Sequence, residues 1–200
     1  VEREDPEGRE RGARGPEGQV AAAARAVGQA LGLRFSVRQG GPIGEEAEAR
    51  FGRGLIEPVE NFCAEVFAAG GAVLSGPGGG RYVYDLRRRF DLFCKFVPVT
   101  PWPALASAGK LSAQHLRGVD LLVVRDNAGG VYQGEWRERV TPAGRLSEHC
   151  FHYTEEQVHR VTEIAVQAAA ARCGRLHVIV KAGGVPGITE LWTDIALASG

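Results

Sequence analysis

The chain has 200 residues, 44% of them hydrophobic, and its 24 Lys+Arg balance its 24 Asp+Glu to a formal net charge of zero. That is enough chain for one ordinary domain or two small ones, and the neutral balance argues against a nucleic-acid protein, which needs a basic footprint. No stretch approaches the ~20 consecutive apolar residues of a membrane span.

Residues 1–18 mix alternating charges with Gly and Pro and hold no large apolar residue except Val1. They cannot bury enough surface to offset ordering entropy, so a disordered tail is expected. No apolar signal core follows it. The four cysteines, Cys63, Cys94, Cys150 and Cys173, share no CxxC spacing and are expected to be reduced thiols in a cytoplasmic protein. Met is absent, so Val1 is not expected to be the natural start.

From Gln19 to Leu31 the Ala-rich run predicts a helix, with Gly32 as its stop. Residues 33–37 (LRFSV) alternate as a half-buried strand does. A Gly-rich connector, 38–54, leads to a helix over 57–70 with Pro58 in its first turn. AVLS (72–75) is expected to be a short buried strand that runs into the loop GPGGGR (76–81). Residues 85–96 suit helix followed by strand. The three prolines of VPVTPWPAL (97–105) make it an extended connection or an edge strand.

VDLLVVR (119–125) is a continuous apolar run between charges and predicts a buried strand. Residues 128–153 are turn-rich with aromatic interruptions and suggest a projecting hairpin. Thr154 and Gln157 have capping-box spacing, opening a helix with Val158, Val161, Ile164, Ala165 and Ala168 on one face. RLHVIVK (175–181) predicts another buried strand and 187–198 another helix. Alternation of strand and helix points to an α/β fold, a sheet flanked by helices.

Arg87, Arg125, Tyr132 and Lys181 fall where these buried strands end, the usual ligand-binding edge of such sheets. Together they would suit a polycarboxylate, with Tyr132 as proton donor. The alternative is that each charge only marks a strand leaving the core for solvent. GPGGGR lacks the GK[ST] of a phosphate loop and is expected to be a simple turn. His149, Cys150, His152 and His159 match no common zinc spacing, so no metal site is expected among them. Trp102, Trp136 and Trp192 are expected to be packing anchors.

LRRRFDLFCKFVPVTPWPAL (86–105), GVDLLVVRDNAGGVYQGEWR (118–137) and VKAGGVPGITELW (180–192) resemble, in order and spacing, the isopropylmalate/isocitrate dehydrogenase family. AVLSGPGGG (72–80), residues 39–58 and GPEGQV (15–20) are similar to preceding family segments. The resemblance covers roughly residues 15–195. It implies an isopropylmalate-dehydrogenase-like sheet with flanking helices, incomplete at both ends. After the expected disordered tail (1–18), it implies a partial nucleotide-binding-type domain (19–97) and a substrate and dimerisation domain (98–200).

The activity so implied is NAD(P)-dependent, divalent-metal-dependent oxidative decarboxylation of a 2-hydroxy acid. NAD or NADP and Mg2+ or Mn2+ would be the cofactors and a small 2-hydroxy polycarboxylate the substrate. By the same resemblance Arg87 and Arg125 bind substrate carboxylates, Tyr132 protonates the enolate after CO2 loss, and Lys181 helps to deprotonate the substrate hydroxyl across a dimer interface. The arm 136–153 would clasp a second subunit, and the helix from Thr154 would carry part of that interface, in a homodimer or a heteromer with a homologue.

The departures are specific. Val97 stands where the family has a further arginine, with Lys95 nearby but expected on the opposite strand face. Val180 and Gly183 replace a common Asp and a nicotinamide-holding Asn, while Asp126 and Asn127 resemble the isocitrate type. The family's opening apolar strand is replaced by the charged stretch 1–14. Gly200 precedes the metal-binding aspartates and the adenosine-binding loop. The chain is therefore expected to be inactive or incomplete alone, with cofactor-binding residues unknown and no metal ligands. The alternative expectations are a non-catalytic partner or regulatory subunit of a complete homologue, or a gene remnant.

Overall fold

The computed structural model describes residues 16–199. The chain forms two compact units, Val1–Leu86 and Arg87–Gly200. The expected tail lies outside the described residues except for Pro16, Glu17 and Gly18, which open the first helix.

In the first unit the helices are α1 (Pro16–Ala30), α2 (Gly44–Phe51) and α3 (Glu57–Ala68), and α4 (Tyr82–Arg89) begins there. Gly32 ends α1 as expected, in the left-handed region at φ 65°. Residues 33–37 do not form the expected strand. An apolar run becomes a strand only when a neighbour satisfies its backbone N–H and C=O groups, and no described segment pairs with this one. Phe35 folds back against α1 at Gly28, where a Cβ would overlap its ring. AVLS (72–75) is likewise an unpaired, extended segment, with Leu74 well exposed.

The core of this unit is Ile43, Ala47, Leu55, Ile56, Val59, Cys63, Tyr82 and Leu86. Pro58 lies in the first turn of α3, where its missing N–H costs no hydrogen bond. Gly44 starts α2 at φ 58°, donating from N to the Gly54 carbonyl at 2.9 Å.

The second unit holds β1 (Cys94–Val99), the short helix α5 (Ala113–Leu116), β2 (Leu121–Asp126), β3 (Glu135–Thr141), β4 (Gly144–Cys150), α6 (Glu155–Ala170) and α7 (Pro186–Ala198). β1 and β2 pair antiparallel, as do β3 and β4, in two separate two-stranded sheets. The architecture is mixed helix and strand. The run 119–125 yields a strand, but one covered on a single face: Leu122 and Val124 are half-buried while Leu121 and Val123 are exposed. Residues 175–181 are extended and unpaired, not the expected buried strand, and Ile179 is 93% exposed. Again the cause is the lack of a hydrogen-bonded neighbour among the described residues.

The hairpin expected within 128–153 is present as β3–β4. Thr154 caps α6 with a complete capping box: its hydroxyl accepts from Gln157 N at 3.2 Å, and Gln157 Oε1 accepts from Thr154 N at 3.0 Å. Val158 and Val161 are buried, with Ile164, Ala165 and Ala168 half-buried on the same face. Tyr153 meets Trp192 of α7 edge to face at 5.4 Å. The turn between α4 and β1 places Asp91 at φ 45°. Arg160 of α6 holds it bidentately, at 2.6 and 3.0 Å, and stacks on Phe93 at 4.2 Å. Among the described residues no helix is long and apolar enough to cross a membrane.

All four thiols are free. Burial pushes the Cys63 thiol up, and burial followed by the nearby Asp126 carboxylate pushes Cys94 up. Hydrogen bonding to Arg175 pulls the exposed Cys173 thiol down. The thiolate is the nucleophile, so at neutral pH Cys173 should be alkylated first and buried Cys63 last. Peptide mass mapping after brief iodoacetamide treatment reads this order; Cys63 reacting as fast as Cys173 would refute it.

Candidate active site

Antiparallel pairing sets the first feature of the site. Lys95 lies directly opposite Arg125, Val97 opposite Val123, and Val99 opposite Leu121. Residues two apart on a strand share a face, so Lys95, Val97 and Val99 face the same way as Arg125, Val123 and Leu121. This corrects the expectation that Lys95 faces away from Val97: the period of two puts both on one side. Lys95 and Arg125 are both exposed.

After β2 the chain turns through a glycine loop into a single 3-10 turn, Val131–Gln133, which carries Tyr132. Gly130 takes φ 75°, and Tyr153 packs so closely that a Cβ at Gly129 or Gly130 would overlap its ring or hydroxyl. Only glycine allows both the backbone angle and the approach.

The loop is tethered at several points. Asp126 Oδ2 accepts from Gly129 N at 2.7 Å, and Asn127 N donates to the Phe93 carbonyl at 2.7 Å. Gln133 Nε2 donates to the Asn127 carbonyl at 3.1 Å, while Arg88 donates to Gln133 Oε1 at 3.3 Å. His149 Nε2 donates to the Val131 carbonyl at 2.6 Å, which makes it a loop tether from β4. Burial, and next the Asp126 carboxylate, push the Tyr153 phenol up, with Arg125 opposing.

The result brings Arg125 and Tyr132 together, with the guanidinium carbon 5.4 Å from the centre of the phenol ring. Arg87 sits in the last turn of α4, half-buried, its carbonyl accepting from Leu92 N at 2.9 Å. Lys181 belongs to the extended segment before α7, exposed, and its carbonyl accepts from Thr189 Oγ1 at 3.0 Å. Sequence reasoning missed Lys95, Tyr153, Arg88 and His149. For Lys95 strand alternation was a sufficient signal; the tethers depend on contacts across the fold that no local pattern encodes.

Two places where the expected cofactors could bind, an acidic cluster and the glycine loop 76–81, do not fit them. Among the described residues no three His, Cys, Asp or Glu side chains cluster to hold a metal ion, and a hard cation needs several oxygen ligands. In the loop 76–81 the Gly78 carbonyl accepts from Glu45 N at 2.7 Å, and the Glu45 and Glu48 carboxylates lie against Gly79 and Gly80. A phosphate there would face two carboxylates in place of free N–H groups. The loop runs without regular structure to Gly79 and turns at Gly80–Arg81 into α4.

Residues 24–197 match the model of the isocitrate/isopropylmalate dehydrogenase family. The chain belongs to that family. Over 179 residues it is 28% identical to a 3-isopropylmalate dehydrogenase of Aquifex aeolicus (strain VF5), covering 84% of this chain and 49% of that protein. It is 32% identical over 186 residues to one of Syntrophotalea carbinolica, covering 85% and 49%. The isocitrate dehydrogenase structure from Methylococcus capsulatus superimposes with a TM-score of 0.67 at 22% identity, covering 88% of this chain and 51% of that one. That likeness shows the fold. The chain thus spans about half the length of these relatives.

The strand, glycine loop and tyrosine of residues 119–135 form the best-defined part of the candidate site. The loop after β2 is joined to Phe93, Arg88 and His149 of β4 by the hydrogen bonds described above.

Proposed function

We propose that this chain supplies part of the substrate site of an NAD(P)-dependent, metal-dependent oxidative decarboxylase of a 2-hydroxy acid. The observation that carries the proposal is the Arg125–Tyr132 pair, held at 5.4 Å by a loop tethered at both ends. A guanidinium binds a carboxylate through charge-assisted hydrogen bonds. The phenol of Tyr132, half-exposed beside it, delivers a proton to the enolate carbon left after CO2 departs. Arg125 stabilises negative charge on the neighbouring oxygen as it develops. Arg87 binds a second carboxylate, and Lys181 acts on the substrate hydroxyl of a neighbouring subunit. The residues described here carry no step through the metal or the dinucleotide.

A second reading, a partner subunit that works beside a complete homologue, is favoured by the Val97–Val123 pair, which puts an apolar contact where the family has an arginine. One experiment separates them. Turnover of 3-isopropylmalate and isocitrate is measured with the chain alone, with a full-length relative alone, and with both mixed. Turnover by the chain alone supports a catalytic site complete in itself. A gain over the relative that appears only in the mixture, and disappears with the Arg125→Gln chain, supports the partial site. A gain insensitive to Arg125→Gln supports the partner subunit, and no gain in any arm refutes both.

A further inference from the structure

The β1–β2 register places two cations face to face, Lys95 against Arg125. Directly opposed residues on an antiparallel pair have Cβ atoms roughly 5 Å apart, and like charges there repel. Neither side chain joins an ion pair among the described residues. Carboxylates do stand near: Asp126 follows Arg125, but it points to the covered face of β2 and accepts from Gly129 N. Other exposed cations of this unit do find carboxylates, Arg137 and Arg139 at Glu148 and Arg172 at Asp120. The Lys95–Arg125 pair is an unneutralised pair of cations on one strand face, beside a phenol that Arg125 already stacks upon.

An anion placed between the two would turn the repulsion into two attractions at once, because each cation then sees the anion nearer than it sees the other. A carboxylate has two oxygens and can take one hydrogen bond from each side chain. We propose that Lys95 is a substrate-binding residue that, together with Arg125, holds one carboxylate of the acid whose other end reaches Tyr132. This rests on the proposed function and adds one further residue to it. With Val97 facing Val123, a mobile ammonium two residues earlier on the same face supplies the second positive charge. Lysine offers a point charge where arginine offers a planar fork, so the site selects by charge more than by bidentate geometry and accepts a wider range of dicarboxylates.

The test uses malate as probe and the folded chain as it is. Malate is titrated while the tyrosine ring resonances are followed, that of Tyr132 being identified by its loss in Tyr132→Phe. Saturable movement of the Tyr132 resonance is expected. Lys95→Gln should weaken malate binding about tenfold, the size of one lost charge-assisted contact at a solvated site, and Lys95→Arg should stay within about twofold. Acetate should bind more weakly and respond less to Lys95→Gln. Removing one of two opposed charges should also leave the unfolding midpoint unchanged or raise it, whereas a structural role for Lys95 would lower it. Absence of saturable malate binding by the wild-type chain overturns the proposal, as does equal affinity in Lys95→Gln or a fall in its midpoint. Malate binding that depends on Lys95 without turnover in any mixture would sink the proposed function and leave this inference standing. Turnover that is sensitive to Arg125 with malate binding indifferent to Lys95 would do the reverse.

Discussion

Gly44→Ala is expected to unfold the first unit, or to bring it within a few kcal/mol of unfolding, although the change adds one methyl group. Gly44 is buried at φ 58°, and a Cβ there would lie 1.7 Å from the Gly78 carbonyl oxygen and 2.2 Å from its carbon. The obstacle is backbone, and that carbonyl already accepts the Glu45 N–H at 2.7 Å. Three effects therefore act together: a left-handed non-glycine residue, roughly 1–2 kcal/mol; overpacking, about 1–3 kcal/mol; and a weakened hydrogen bond, about 1 kcal/mol. Against the 5–15 kcal/mol typical of folded domains, that is a large share. Gly52→Ala is the control. It shares the positive angle, φ 76°, but has nothing within 4 Å of the new methyl, so it should lose only the backbone component, about 1–2 kcal/mol. Urea unfolding followed by circular dichroism measures both. Equal losses would show that contact with the 76–81 loop contributes nothing.

Tyr132→Phe is expected to lower turnover by about 10²–10⁴-fold, the usual contribution of a positioned proton donor, in whichever mixture with a full-length relative shows Arg125-dependent turnover. The substitution is conservative where the fold is concerned. Phenylalanine keeps the ring face on which Arg125 stacks, and the tethers on Gly129, Val131 and Gln133 are made by other groups. Malate affinity and the unfolding midpoint should accordingly hold. Loss of rate with affinity and stability retained would place the phenol in the chemistry. Unchanged turnover would remove it, while equal losses in all three readouts would mean that the hydroxyl has a structural role.

Strand-level expectations failed where pairing was the deciding factor. The runs 33–37, 72–75 and 175–181 carry the apolar composition of sheet strands, yet none has a partner among the described residues. Composition records a preference for burial, whereas a strand also needs a second chain segment at hydrogen-bonding distance. The exposed Val178, Ile179 and Val180 are the visible consequence. Helices were read more reliably because their hydrogen bonds are local. The stop at Gly32, Pro58 in the first turn of α3 and the Thr154–Gln157 capping box each needed only neighbours within one turn.

For the site, the sequence by itself determined the family, through collinear blocks around Arg87, Arg125, Tyr132 and Lys181, and it determined the glycine pair that lets the loop turn. The tertiary structure alone decided that Arg125 meets Tyr132, that His149 and Arg88 reach across to hold the loop, and that Lys95 opposes Arg125. The reason is range. Residue identity and short spacing encode backbone angles and chemical type, while register and long-range tethers arise only when distant segments pack and satisfy one another's polar groups.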